Sequence, residues 1–204
     1  MTLTSLLWQS WFSSAMPEAC LNMDGYNMFS RSRTERRGGG VALYVKESLP
    51  AEVVQQIAVP PELECLWISV RPTRLPRGLS ELFVYTVYNP PASRHQDTLV
   101  EHLLTGTDSI RTKHPKAGLI LLGDFNRLDT TDICKGNRLV QVVNSPTRGQ
   151  SILDMIITDF QRYYQKPEVI SPLGLSDHKT VLWKANIQKS LNRTKIKSAI
   201  HAGP

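Results

Sequence analysis

No apolar run in this chain reaches the roughly 18–20 residues that a membrane-spanning helix needs. Its three cysteines, Cys20, Cys65 and Cys134, are odd in number, scattered and without a CxxC pair. They supply neither a disulfide framework nor a zinc site, and they suit a reducing compartment. The triple glycine Gly38-Gly39-Gly40 is not followed by Gly-Lys-Ser/Thr, which excludes a P-loop. The apolar opening from Met1 to Trp11 lacks a basic flank and is interrupted by Gln9 and Ser10, so it does not read as a signal peptide. An intracellular protein, nuclear or cytoplasmic and not secreted, is therefore expected. No compact Lys/Arg run argues independently for the nucleus.

What remains suits one domain of ordinary composition. The 204 residues are 41% hydrophobic, enough to bury a sizeable core. After Trp183 the chain holds five Lys or Arg and no acidic residue, so residues 1–186 read as the domain and 187–204 as a basic, disordered tail. A net charge of +6 leans towards a polyanionic partner, although many soluble proteins are mildly basic.

The chemistry concentrates where apolar runs stop. Leu119 to Leu122 reads as a strand buried on both faces, and it ends in Gly123-Asp124-Phe125-Asn126. Asp124 and Asn126 stand two apart and suit either a shared ligand or a strand-ending turn. Runs at Val53 to Val59, Glu64 to Val70 and Leu82 to Tyr88, bounded by Pro-rich turns, suggest antiparallel neighbours. The spacing of Leu99, Leu103 and Ile110 predicts an amphipathic helix over Gln96 to Lys113, with His95, His102 and His114 on its surface. Gly25 to Gly40, with Arg31, Arg33, Arg36 and Arg37, reads as a basic loop that is either a solvated face or a grip on a phosphate backbone. Leu139 to Val143 is a short apolar segment. Ser151 to Thr158 predicts a strand with Asp154 inside it, a costly place for an unpaired carboxylate. Ser176-Asp177-His178 precedes a last strand, Lys179 to Trp183.

Together Arg37-Gly38-Gly39-Gly40 with the strand to Val45, Tyr88-Asn89-Pro90-Pro91, Gly123 to Asn126, Pro146-Thr147-Arg148 with Leu153-Asp154, and Ser176 to His178 resemble the endonuclease/exonuclease/phosphatase superfamily. In detail they are similar to the endonuclease domains of non-LTR retrotransposons of the LINE and jockey type. The resemblance implies an α/β fold of two mainly antiparallel sheets packed as a sandwich, flanked by helices, here lacking the family's first strand. It implies a phosphodiester-cleaving DNA endonuclease using Mg2+, with Mn2+ as a substitute; no membrane is expected, and nothing in the sequence points to an obligate protein partner.

The same resemblance implies the residue roles. Asp124 orients or deprotonates water, with Asn126 beside it, and Asp154 holds His178 in its tautomer for a hydrogen bond to phosphate. Asp177 helps hold the hydrated metal. Tyr88, Thr147, Asn89 and Arg37 lie against phosphate or DNA. The family's metal-binding Glu aligns with Gln9, a neutral amide. Removing a unit charge from beside a divalent ion costs on the order of several kcal/mol at an effective dielectric near 20. Weakened activity is therefore expected, the alternative being a non-catalytic relic that at most binds nucleic acid. A phosphatase of the same superfamily fits the triple glycine and the Asn-Pro-Pro loop less well.

Overall fold

The computed structural model describes residues 22–32, 40–173 and 176–186. Its centre is a six-stranded sheet in the order β3-β4-β5-β6-β8-β7. The strands are β3 (Ala51–Val53), β4 (Glu64–Val70), β5 (Glu81–Tyr88), β6 (Ala117–Asp124), β7 (Val140–Gln141) and β8 (Asp154–Thr158). Only β5 and β6 pair in parallel, because α1 (Gln96–Lys113) carries the chain back between them. Two antiparallel ladders complete the described strands: β1 (Tyr26–Ser32) with β2 (Gly40–Lys46), and β9 (Glu168–Ile170) with β10 (Thr180–Leu182).

Strand alternation sorts the core into two layers. Cys65, Trp67, Phe83, Tyr85, Leu119, Leu121 and Ile157 point to one face, where they meet Leu99, Leu103 and Ile110 of α1 and Ile133 of α2 (Thr131–Asn137). Leu66, Ile68, Val84, Ile120, Leu122 and Ile156 point to the other face and meet Val41, Leu43 and Val45 of β2, with Val169 and Val181 of the second ladder alongside. Both faces of β5 and β6 are covered, which is why their sequences run apolar without alternation. The arrangement is helices, a large sheet, then the small ladders: a sandwich flanked by helices. The first-strand expectation falls on residues outside those described, as does the 187–204 tail.

Several local expectations are corrected. Gly25 to Gly40 is not a loop throughout: Tyr26–Ser32 is a strand, half exposed and pairing residue for residue with β2. Its polar residues hid the alternation. Arg31, read as part of a solvated or DNA-facing cluster, instead donates from its guanidinium to the carbonyls of Val59 and Pro60, each at 3.2 Å. Of Val53 to Val59 only Val53 is in a strand, which begins earlier, at Ala51. The approach to Pro60-Pro61 is irregular.

The surface reading of α1's histidines holds for His95 but not for the other two. His102 is buried, and its Nε2 accepts from Trp67 Nε1 at 3.2 Å. It stands one turn after Leu99, on the helix face that packs against the sheet. Burial, helped by the Arg31 charge, pushes its pKa down. His114, half-buried, is 2.7 Å from Glu81. Helix α1 itself has the expected bounds.

Candidate active site

Three neighbouring strands bring their site-bearing residues to one end of the large sheet. Tyr88 ends β5 and stands opposite Asp124, which ends β6; Asp124 in turn stands opposite Asp154, which begins β8. Residues in register on neighbouring strands point to the same face, here the face of the small ladders. Asp154 is therefore the first residue of its strand rather than an interior one. Glu64 of β4 continues the row beyond Tyr88. Motif reading missed Glu64; the signal was its place at the start of a run that pairs with the Tyr88 strand.

Asp124 is 1% exposed, and its two oxygens accept from Asn126: Oδ1 from the backbone N–H and Oδ2 from the side-chain amide, each at 2.9 Å. The turn reading of this pair is what these bonds show. The turn requires Asn126 at φ 49, a left-handed conformation that Asn tolerates better than most residues. Gly123 sits at φ 144, and a Cβ there would lie 2.1 Å from the Val87 carbonyl oxygen. Only glycine fits. Asn89 clamps the same loop: its amide donates to the Phe125 carbonyl at 3.0 Å, and its own carbonyl accepts from Asn126 Nδ2 at 2.6 Å. Asn89 is itself buried, so in this structure it shapes the Asp124 loop.

Thr147 is also fully buried. Its hydroxyl oxygen accepts the backbone N–H of Leu153 and of Asp154, both at 3.0 Å. Its carbonyl accepts from Lys179 N at 2.7 Å, tying the start of β8 to the loop that carries His178. His178 Nδ1 lies 2.8 Å from Asp154 Oδ2, with both side chains largely shielded. Burial alone pushes the imidazole pKa down. The hydrogen bond and charge of Asp154 and the charge of Asp124 outweigh it, and the net direction is up. The neighbouring Asp177 is exposed and its Oδ2 is 2.5 Å from Arg148 Nη2. Arg148 carried part of the sequence resemblance without being assigned a role.

The structure thus brings Tyr88, Asn89, Asp124, Asn126, Thr147, Asp154, Asp177 and His178 to one end of the molecule. Gln9 and Arg37 lie outside the described residues. Among the described residues no three His, Cys, Asp or Glu side chains converge to hold a metal ion. Of the two expected metal positions only Asp177 is described, and it offers an exposed carboxylate, a hard-oxygen donor of the kind Mg2+ takes.

No family model and no curated protein matches the sequence. Solved structures do. The endonuclease domain of TRAS1, a telomere-specific non-LTR retrotransposon, is similar at TM-score 0.63 and 17% identity, over 82% of this chain and 83% of that one. The human Nocturnin catalytic domain with bound sulfate anion is similar at TM-score 0.53 and 15% identity, over 82% and 76%. An endonuclease/exonuclease/phosphatase family protein from Bacteroides thetaiotaomicron is similar at TM-score 0.50 and 13% identity, over 77% and 73%. Layer order and these likenesses agree: the chain has the fold of the endonuclease/exonuclease/phosphatase superfamily.

Proposed function

We propose that this chain is a phosphodiester-cleaving DNA endonuclease domain of retrotransposon type, using Mg2+ or Mn2+, with activity lowered by the amide at position 9. The observation that carries the reading is the Tyr88–Asp124–Asp154 row with His178 held by Asp154 at 2.8 Å. It is supported by the likeness to the TRAS1 endonuclease domain and by the net charge of +6, which favours a polyanion.

Hydrolysis of a phosphodiester needs an oriented water, a group that takes its proton, and charge to offset what develops on phosphate oxygens. Asp124, its carboxylate fixed by Asn126, orients the water and accepts the proton. His178 presents Nε2 as a donor to a non-bridging oxygen, because Nδ1 is engaged by Asp154. The raised pKa of His178 keeps it protonated to higher pH, which suits that role. Tyr88 completes the row beside Asp124, where its hydroxyl can contact the phosphate. Asp177 and residue 9 are the positions that would hold a metal ion, which supplies further charge against the phosphate when bound.

Gln9 favours a second reading, a folded relic that binds nucleic acid without cutting it. Nicking of supercoiled plasmid in Mg2+ separates the two. The first reading expects nicking by the wild type that is lost in Asp124→Ala and in His178→Ala. Wild-type nicking no greater than that of the two variants, all folded by circular dichroism, would move the assignment to binding alone.

A further inference from the structure

We propose that Arg148 is a substrate-binding residue that exchanges its partner Asp177 for a backbone phosphate of the nucleic acid. The inference rests on the phosphodiesterase reading above and adds a guanidinium to that site beside the His178 imidazole.

The end of the sheet that holds His178 is rich in negative charge. Asp124, Asp154 and Asp177 gather there, and a phosphodiester approaching them adds another negative charge. Of the cationic side chains, His178 is engaged with Asp154, while Arg148 is paired with Asp177, the residue next to His178 in the chain. Arg148 is thus tied to the His178 loop twice, through Asp177 and through the Thr147–Lys179 backbone bond of 2.7 Å.

Its backbone is held for the task. Arg148 and Ser151 exchange N–H to carbonyl bonds of 3.1 and 2.9 Å around a tight turn with Gly149 at φ 54. The residue before it, Thr147, is fully buried and bonded to both β8 and the His178 loop. The head group, by contrast, is accessible: the Arg148 side chain is 46% exposed and that of Asp177 67%. An ion pair this exposed contributes little stability, because water screens it and two side chains must be ordered to make it. Giving it up for a phosphate costs correspondingly little. Guanidinium matches phosphate geometry with two parallel N–H donors, as it matches carboxylate. Asp177 therefore holds the fork where a phosphate oxygen would otherwise sit.

The test measures metal-free binding of a labelled duplex oligonucleotide to the full chain by fluorescence anisotropy, in EDTA so that no metal ligation enters. Four proteins are compared with the wild type: Arg148→Ala, Arg148→Lys, Asp177→Asn, and Arg71→Ala, which removes one charge at the opposite end of the sheet. The expected result is a 10- to 100-fold weaker Kd for Arg148→Ala, of the size of a lost charged hydrogen-bonding contact, with Arg148→Lys in between. Arg71→Ala should change Kd less than threefold, and Asp177→Asn should bind as tightly as the wild type or tighter. The slope of log Kd against log salt should fall by about one for Arg148→Ala.

Equal weakening by Arg148→Ala and Arg71→Ala would reduce the effect to net charge and overturn the proposal. So would weakening by Asp177→Asn to match Arg148→Ala, since the intact pair would then be what matters. Wild-type binding with no effect of Arg148→Ala refutes the exchange but leaves the nuclease reading standing. No wild-type binding at any salt refutes both.

Discussion

The large sheet carries a histidine–carboxylate pair at each end, and the two are nearly the same length. His178 is 2.8 Å from Asp154 at one end; His114 is 2.7 Å from Glu81 at the other. The ends are the two termini of β5, about 23 Å apart at strand spacing. What differs is the company. Glu81 Oε1 takes His114, and Oε2 takes both Ser69 Oγ and Arg71 Nε, so cationic and hydroxyl partners surround it. Asp154 has His178 on its carboxylate, stands opposite a second carboxylate, Asp124, and has a third, Asp177, nearby. Glu81 is surrounded by cationic and hydroxyl partners within the fold, whereas Asp154 faces a second carboxylate and the arginine at that end is held by Asp177. A histidine–carboxylate pair is therefore not evidence of a site by itself; its neighbours decide.

Substitution should separate the ends in kind as well as in size. Asp154→Ala and His178→Ala are expected to lower plasmid nicking by about 10²- to 10⁴-fold, the usual worth of a positioned acid–base group. Glu81→Gln should leave nicking per folded molecule within about threefold. Its cost falls on stability, about 2 kcal/mol for loss of charge-assisted bonds, or a Tm roughly 4–8 °C lower. A nicking defect in Glu81→Gln as large as that in Asp154→Ala would break the comparison.

Two glycines of β6 extend it. At Gly123 an added Cβ meets backbone, 2.1 Å from Val87 O, at positive φ. Gly123→Ala should cost on the order of 3–5 kcal/mol, strain and overlap together. At Gly118 the nearest atoms are side-chain carbons of Leu82 at 2.8 Å and Phe160 at 3.2 Å, and these can turn aside. Gly118→Ala should cost about 1–2 kcal/mol. Urea unfolding of both variants measures the gap, and equal losses would show that the Asp124 loop is not the tighter of the two.

The smallest expected effect is a shift in titration. The folded-state pKa of His178 lies above its ordinary 6.5. The stability that the pair contributes is thus fully present below pH 6.5 and is lost as pH rises through the folded value. In Asp154→Asn the charge is gone while burial remains, so the imidazole should titrate at lower pH. Following the His178 ring protons by NMR across pH 5–9 checks this. An unchanged titration would mean that Asp154 does not set the charge of His178.

Much of this was legible in the sequence because it depends on local physics. Helix α1 took its expected bounds because Leu99, Leu103 and Ile110 repeat at helical spacing. Strands β4, β5 and β6 are apolar enough to announce themselves, and β6 stops at its expected aspartate. The pairing of His178 with Asp154 was implied only through the motif resemblance, since nothing local links residues 24 apart. Strand β1 went unseen because its pattern is polar and its partner, not its composition, holds it extended. Helix α2 and strand β9 gave no periodic signal long enough to read.

The sequence by itself determined where apolar runs end and which polar groups stand at those ends. Chain order and residue type suffice for that. Tertiary structure alone decided that Tyr88, Asp124 and Asp154 share one row, that His102 turns inward to Trp67, and that Arg148 lies on Asp177. Each of these depends on strand register or on packing between segments distant in the chain. Such contacts are fixed by the burial of both faces of the sheet, a property of the whole chain.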